Sequence, residues 1–410
     1  MTFTLETKAF AAGLKPMNKA FSKRNTIPVL AGIHVRAGEG IAEFTATDLE
    51  TAVRFRIEHN TDGLPTETVI ADGKGFIKAI TGKGQTTITI EENRALVVCN
   101  GAQLVFPTME ACSYPELPKL PSASLMIGVT ADQLSRMINQ TSYAISPEES
   151  RFTLNGALLE VSLPRLRMVA TDGHRLAMSE AAADAFSSHE FPSKRIIIGK
   201  NALSIMAAWK GNSTVYIGRD LTDLRDVKTG EITERNAPGP HLFFMFGDTI
   251  IISRALTGNF PDYERVLPRA EPNRYTLQVD RLPLLATLQT AVKYADERSK
   301  AVTLRLNGCA KVYTKLNDSP SFTADVPATW TGPEDGEVSY NGAYLVDWLK
   351  AQSCDSVLMA FYANEQKTDA KGNPMVDENG DPVMYNRWNN AAVDCYGDST
   401  ARTVIMPMRM

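Results

Sequence analysis

The feature that most constrains this chain is a pattern that recurs three times along its 410 residues. Each third begins with a strand-like stretch, continues into an amphipathic helix, and then alternates short strands with a second helix. A period of domain size is far longer than that of a solenoid repeat. The pattern therefore predicts an α+β fold of three similar domains, each with two helices on antiparallel sheets. A merely duplicated scaffold would give the same pattern.

The helices are predicted from apolar residues spaced three and four apart, which line one helical face. In the first helix of each third these residues are Phe10, Leu14, Met17 and Phe21; Leu134, Met137, Ile138 and Thr141; and Leu284, Leu285, Leu288 and Val292. The second helices are predicted at residues 74–80, 201–210 and 343–350. Pro16 predicts a kink, Thr130 with Gln133 predicts a capping box, and Asp280 is a candidate N-cap.

Two proline-rich segments predict the boundaries between the thirds. FPTMEACSYPELPKLP closes the first third and GNFPDYERVLPRAEP closes the second. Proline-rich stretches of this kind are typical of linkers, because they stay extended and do not join a helix or a central strand. The predicted domains are therefore residues 1–122, 123–270 and 271–410.

The charge of the chain is unevenly distributed between its predicted elements. There are 43 Lys and Arg against 47 Asp and Glu, which gives a formal charge of −4. Basic residues nevertheless gather on the polar faces of the predicted helices, among them Lys15, Lys19, Lys78 and Lys210. A basic helix layer on an acidic body indicates a polyanionic partner that is bound through its backbone charge. Solvated helix faces without any partner are the alternative.

Several protein classes are disfavoured by what the sequence lacks. No apolar run reaches about 18 residues and the N-terminus has no signal-peptide core, so we expect a cytoplasmic protein without membrane contact. The five cysteines show no CxxC spacing, which argues against a disulfide framework and a metal site. Without a nucleophile elbow or a phosphate loop, we predict neither an enzyme nor a cofactor. The loop 377–381 lacks glycine at the sixth position of a calcium loop and is better explained as a hairpin turn.

Five segments carry a resemblance to a known family. They are NTIPVLAGIHV at 25–35, LNGALLE at 154–160, VATDGHRLAM at 169–178, NFPDYERVLP at 259–268 and VIMPMRM at 404–410. Together they resemble the bacterial β sliding clamp family, the processivity subunit of DNA polymerase III, and they keep the family's order. No single segment would suffice, but TDGHRLA, FPDYERVLP and a terminal MPMR are highly specific in combination.

The resemblance implies a DNA sliding clamp, a head-to-tail homodimer that closes a ring around double-stranded DNA without sequence preference. It also implies partners: the DNA polymerase III alpha subunit, the clamp loader and other proteins with clamp-binding peptides, which the ring would tether to confer processivity. We expect DNA contacts from Arg24, Lys74, Arg151 and Lys200. We expect a dimer interface at Leu104, Phe106 and Tyr294.

The family's peptide groove lies between the second and third domains. The resemblance places it at Leu154, Thr171, Gly173, His174, Arg175, Leu176, Pro261, Arg265, Val266, Val404, Met406, Pro407, Met408 and Arg409. Its apolar members would form pockets for aliphatic and aromatic side chains. His174, Arg175 and Arg409 would be rim groups that hydrogen-bond the peptide.

Other interpretations remain open at this point. A hydrolase could use Asp172 and His174 as an acid–base pair, and a regulator could read DNA sequence, although no helix-turn-helix is evident. A sequence-nonspecific DNA-binding scaffold outside replication is a further alternative. The apolar terminal segment could be only a buried core strand. Residues 218–241 and 364–390 exceed the typical family length and are predicted to be edge insertions of unassigned function.

Overall fold

The structure is a computed structural model in which six α-helices and an extensive antiparallel sheet system are described. The described residues are 1–21, 27–62, 64–121, 126–185, 191, 194–225, 232–267, 274–306, 308–316, 319–332, 336–362, 391–395 and 400–408. Their helices are α1 (Thr7–Leu14), α2 (Gly73–Ala79), α3 (Ala131–Thr141), α4 (Lys200–Met206), α5 (Arg281–Tyr294) and α6 (Gly342–Ala351).

The strands follow the order of the three predicted domains. Those before residue 122 are β1 (Thr2–Glu6), β2 (Ile33–Gly38), β3 (Ile41–Thr47), β4 (Thr51–Glu58), β5 (Asn60–Asp62), β6 (Thr66–Ile70), β7 (Gln85–Ile90), β8 (Arg94–Cys99) and β9 (Ala102–Met109). Those of the central third are β10 (Met126–Thr130), β11 (Gly156–Ser162), β12 (Arg165–Thr171), β13 (Arg175–Ala182), β14 (Asp184–Ala185), β15 (Arg195–Gly199), β16 (Thr214–Arg225), β17 (Ile232–Phe246) and β18 (Thr249–Leu256). Those of the last third are β19 (Arg274–Asp280), β20 (Ala301–Leu306), β21 (Ala310–Leu316), β22 (Ser319–Val326), β23 (Ala328–Trp330), β24 (Gly336–Asn341), β25 (Ser356–Tyr362), β26 (Ala391–Cys395) and β27 (Ala401–Ile405).

The chain divides into two compact units. The first comprises Met1–Arg136, Leu159–Leu166 and Ala182–Thr257, and the second comprises Met137–Leu158, Arg167–Ala181 and Gly258–Met410. In the first unit, antiparallel pairing runs in the order β5–β1–β7–β8–β9–β6–β2–β3–β4–β18–β17–β16–β10–β14. The second unit holds the order β23–β19–β25–β26–β27–β13 and a four-stranded sheet, β22–β21–β20–β24.

The predicted α+β architecture is confirmed, with two helices in each third of the described chain. Pro16 acts as expected, because α1 ends at Leu14 and a 3₁₀ turn, Lys15–Lys19, follows it. The capping box is also confirmed: Gln133 N donates to Thr130 Oγ1 and Thr130 N donates to Gln133 Oε1, both over 3.2 Å. Asp280 precedes α5 but its side chain does not cap that helix, since Asp280 Oδ1 accepts from Ser356 Oγ instead.

Aromatic packing supports the helices of the first third. Phe10 of α1 and Phe76 of α2 are fully buried, and their rings lie 4.7 and 6.3 Å from that of Phe44 in β3. Each such pair stabilises the fold by about 0.5–1.5 kcal/mol beyond its buried area. In the last third, Leu288 of α5 and Trp348 of α6 are buried in one hydrophobic cluster with residues of the strands, among them Leu304 of β20.

The described parts of the first predicted insertion, residues 218–225 and 232–241, belong to a long two-stranded ribbon. β16 and β17 pair from Tyr216 opposite Met245 out to Arg225 opposite Ile232, with register shifts along the way. The insertion at 364–390, including the 377–381 loop, lies outside the described residues.

The cysteine spacing, which argued against a disulfide framework, did not indicate that one of the described cysteines is disulfide-bonded. Cys354 is disulfide-bonded, whereas Cys99 and Cys112 are free thiols. Among the described residues, no helix is long and apolar enough to cross a membrane, and no group of three His, Cys, Asp or Glu side chains is arranged to hold a metal ion.

Candidate functional site

The turn between β12 and β13 is closed by its own side chains. Thr171 Oγ1 donates to Arg175 O over 2.7 Å and accepts from Gly173 N over 3.1 Å. Asp172 Oδ1 accepts from His174 N and Arg175 N over 2.9 and 3.0 Å. Gly173 has a φ of +90°, which disfavours any residue with a Cβ. The sequence TDGHR therefore forms a rigid turn with Gly173 and His174 exposed at its tip.

Arg175 lies beneath this turn and is buried. Its Nε donates to Asp172 Oδ2 over 3.0 Å and its Nη1 donates to Asp347 Oδ2 of α6 over 2.9 Å. The guanidinium carbon lies 4.3 Å from the ring centre of Tyr344 and 5.4 Å from that of Tyr143. A planar cation between two rings and two carboxylates gains stacking and directed hydrogen bonds together.

These contacts change two expectations. Arg175 is not an accessible rim group, because only 8% of its side chain is exposed and its guanidinium is already bonded. Asp172 is equally unsuited to acid–base work with His174, since both of its oxygens hold the turn. Sequence reasoning missed Tyr143 and Tyr344, which are far from the turn along the chain and carry no local signal.

Tyr143 also supports the last strand. Burial raises the pKa of the Tyr143 hydroxyl, so the group stays neutral, and it shares a 2.7 Å hydrogen bond with Thr403 Oγ1. β27 pairs with β13 from Ser179 opposite Ala401 to Arg175 opposite Ile405.

The terminal segment is tied to the turn just beyond β27. Met406 N donates to His174 O over 2.9 Å, and Met408 N donates to Ser339 O over 2.7 Å. Val404 is 5% exposed, whereas Met406 is 52% exposed and Pro407 and Met408 are half-buried. The segment is thus a core strand up to residue 405 and is partly or largely exposed from Met406 to Met408. Arg409 lies outside the described residues.

Leu154 is joined to the same turn through its neighbour Arg151. Leu154 ends a short 3₁₀ helix, Phe152–Leu154, and is half-buried. Arg151 Nη1 donates to Asp172 O over 2.9 Å, and Arg151 Nε pairs with Glu148 over 2.7 Å. Arg151 therefore holds the turn, and its guanidinium is less available for DNA than we expected.

The segment with Pro261, Arg265 and Val266 is exposed and is anchored by one buried side chain. Tyr263 accepts a 3.0 Å hydrogen bond at its hydroxyl from Arg167 Nη1 of β12. Arg265 Nε pairs with nearby Asp262 over 2.7 Å, and 83% of its side chain is exposed. Of the other expected groove residues, Thr171 and Leu176 are buried and support the surface from behind.

The expected DNA contacts divide into three cases. Lys74 and Lys200 are exposed in the first turns of α2 and α4. A lysine at a helix N-terminus opposes the helix dipole, so neither residue is explained by helix stability. Arg151 is bonded as described above, and Arg24 lies outside the described residues.

The expected interface residues lie in two places on the chain. Leu104 is 36% exposed on β9, but Phe106 is 8% exposed and its ring packs edge-on against Phe76, so Phe106 belongs largely to the core. Tyr294 is 55% exposed at the end of α5 and stacks on Phe322 of β22 at 6.1 Å.

Comparison with known proteins settles the family. Residues 1–118 match the family described as DNA polymerase III beta subunit, N-terminal domain, and residues 128–262 match the central domain of the same subunit. The chain belongs to the DNA polymerase III beta subunit family. The Pseudomonas aeruginosa beta sliding clamp is 28% identical over 352 residues, which cover 85% of this chain and 90% of that relative. The Escherichia coli beta sliding clamp is 26% identical over 363 residues, with 88% and 92% covered.

Solved structures of the family share the fold over the full length of both chains. A crystal structure of the sliding clamp of Pseudomonas aeruginosa bound to griselimycin has a TM-score of 0.80 at 24% identity, covering 100% of each chain. The beta subunit of Thermotoga maritima has a TM-score of 0.79 at 20% identity with the same coverage.

Proposed function

We propose that this chain is a DNA sliding clamp, a head-to-tail homodimer that encircles duplex DNA and carries no catalytic site of its own. The observation that carries this proposal is the match of two successive domains of the DNA polymerase III beta subunit, in their family order. Three domains, with boundaries near residues 122 and 270, would give a ring of six in the dimer. Head-to-tail contact closes a ring when the rotation between subunits allows it.

The rigid turn and the terminal segment are the proposed docking site for partner peptides. His174, Pro261, Val266 and Met406 are exposed, while buried neighbours hold their backbone in place. A preorganised apolar surface of this kind costs little ordering entropy on binding. We propose the DNA polymerase III alpha subunit, the clamp loader and other peptide-bearing proteins as its partners, in the cytoplasm.

Lysines Lys74 and Lys200 are the proposed DNA contacts among the described residues. Phosphate attraction carries no sequence information, which is what sliding requires. A scaffold outside replication would share the DNA contacts but would not need a closed ring.

Retention on circular DNA tests the proposal. The protein is loaded onto a nicked circular plasmid by a clamp loader, and the bound fraction is measured by gel filtration before and after the plasmid is linearised. A clamp stays on the circle and leaves once the DNA has ends. Equal retention on both forms would mean ordinary DNA binding and would contradict the ring.

A further inference from the structure

A charged cleft crosses one face of the sheet β6–β2–β3–β4 in the first unit. Arg36 lies opposite Glu67 on one neighbouring strand and opposite Glu43 on the other, and Glu43 lies opposite Arg56. The alternate residues, such as Val35 and Phe44, are buried on the other face. The cleft therefore lies on the side of the sheet that faces away from the core.

The proline-rich segment after β9 turns this face into a cavity. The Tyr114 ring stacks on His34 at 4.9 Å with 15° between the planes, and Tyr114 Oη donates to Thr45 O over 3.2 Å. Residues 115–119 follow Tyr114 and line the other side of a cavity between this segment and the sheet, with a volume of about 430 Å³. This volume is within the range of ordinary small-molecule sites.

The acidic groups on the sheet side of the cavity are already engaged. Glu67 Oε1 lies 2.9 Å from both His34 Nε2 and Arg36 Nη2. Glu43 Oε2 accepts from Arg56 Nε over 2.7 Å. Glu116 also borders the cavity, but from its exposed rim.

Two basic groups of the cavity could donate hydrogen bonds to a ligand. Arg54 Nε is buried, and although it lies 3.4 Å from Glu43 Oε1, no acceptor among the described residues forms a hydrogen bond with it. Lys119 lines the opposite wall with an exposed side chain. A buried donor without an acceptor is costly, so a ligand that accepts its hydrogen bond would be favoured.

We propose that this cleft binds a small oxyanion of the phosphate or carboxylate class between Arg54 on β4 and Lys119 on the linker. Burial lowers the pKa of His34 in spite of the nearby Glu67, so His34 is neutral near pH 7 and the arginine and lysine supply the positive charge. The site lies in the first family domain, and no step of the proposed clamp function requires it.

Titration with inorganic phosphate and with glutarate tests the proposal. The full-length dimer is held at constant ionic strength with sodium chloride, and the NMR signals of the His34 ring and the arginine Nε–H groups are followed. We expect saturable shifts with at least one anion. Arg54→Gln should weaken binding about tenfold or more, the loss expected for one charge-assisted hydrogen bond.

Arg56→Gln is the matched control, because Arg56 is on the same strand and pairs with the same Glu43 but does not line the cavity. It should change the affinity less than twofold. If Arg54→Gln fails to fold, Lys119→Gln, on the exposed linker, should still weaken binding several-fold. Saturation by phosphate alone or glutarate alone identifies the class. Shifts that chloride reproduces, shifts that never saturate, or equal losses in Arg54→Gln and Arg56→Gln would overturn the site.

Discussion

At the scale of single residues, Arg175 shows how a buried cation organises a surface it does not form. Its guanidinium joins Asp172 in the turn to Asp347 in α6 and lies between two tyrosine rings. Lysine could supply the charge but not the planar fork or the stacking. Arg175 is therefore a positioning residue for the candidate peptide site.

Replacing Arg175 with alanine should destabilise the protein by about 3 kcal/mol, because the buried Asp172 carboxylate loses its cation. The measurement is the free energy of unfolding in urea, combined with peptide affinity. Arg265→Ala is the control, since the side chain of that arginine is 83% exposed and its ion pair with nearby Asp262 lies at the surface. It should leave stability unchanged while weakening peptide binding. Equal stability of the two variants would contradict the positioning role.

The lowered pKa of His34 predicts that the stability of the protein depends on pH. Burial lowers its pKa below the ordinary value of 6.5, and Glu67 and Glu43 oppose this shift while Arg36 adds to it. The unfolded chain thus binds more protons below about pH 7, and stability should fall as the pH drops from there toward the folded-state pKa.

The test compares urea unfolding at pH 7.5 and pH 5.5 in the native chain and in His34→Gln. One proton contributes a slope of at most about 1.4 kcal/mol per pH unit. In His34→Gln the free energy of unfolding should change less between the two pH values than in the native chain. An equal change in both proteins would show that His34 does not contribute.

At the scale of elements, β27 and the four residues after Met406 have separable roles. β27 completes a sheet, whereas Met408 is half-buried and forms an isolated bridge to Ser339 of β24. Deleting residues 407–410 should therefore leave the dimer intact, together with its retention on DNA once it has been loaded. It should weaken the binding of a clamp-binding peptide with aliphatic and aromatic side chains roughly ten- to hundredfold, because one buried aliphatic anchor contributes about 1.5–3 kcal/mol.

Fluorescence anisotropy with a labelled peptide measures this effect. His174→Ala should weaken the same peptide more modestly, since one hydrogen bond contributes about 0.5–1.5 kcal/mol net. Leu224→Ala is the control, because it removes an apolar side chain of the β16–β17 ribbon that is about as exposed as Met406. It should not change the peptide affinity. An undiminished affinity in the truncated chain would limit the terminal residues to a structural role.

The elements differ in how far the sequence predicted them. Local signals succeeded: Pro16 ends α1, and Thr130 with Gln133 starts α3, because these effects act within one turn. Long-range contacts were not predicted, because no local pattern shows that Tyr344 stacks on Arg175 or that the Phe106 side chain packs into the core. The motif residues around the turn were located by family resemblance, but their division into exposed contacts and buried supports needed the fold.

At the scale of the whole molecule, one kind of junction recurs. β4 pairs with β18 in the first unit, and β13 pairs with β27 in the second. In each case the second strand of a hairpin, β3–β4 or β12–β13, meets the last strand of the next third. The third copy would join β22, the second strand of β21–β22, to β9, the last strand of the first third. Along Ala102–Pro107, β9 is paired only with β8 among the described strands, so this junction is available to a partner subunit.

Neutralising Lys74 or Lys200 should weaken DNA association equally for all sequences. Removal of one lysine–phosphate ion pair should reduce the salt slope of binding by about one. The measurement is affinity against salt concentration on two unrelated duplexes. The charge-matched control is Lys315→Gln, because Lys315 is exposed but lies on strand β21 and not on a helix. This substitution should not change DNA association. A weakening confined to one duplex would contradict sliding.

The recurrent junction gives the sharpest prediction for the ring. Leu104 of β9 and Tyr294 beside β22 are both exposed in the single chain, although large apolar side chains are usually covered. In the dimer, β9 would add to the β22 edge of the partner and bury both, which removes two open strand edges at once. Changing Leu104 and Tyr294 together to aspartate places two like charges at this seam and should give a folded monomer. Light scattering measures the mass, and circular dichroism checks the fold. Charging Val266 instead, an exposed apolar residue of the peptide site, should leave the dimer intact. A double variant that remains a stable dimer would exclude the β9–β22 seam while leaving the fold of each subunit untouched.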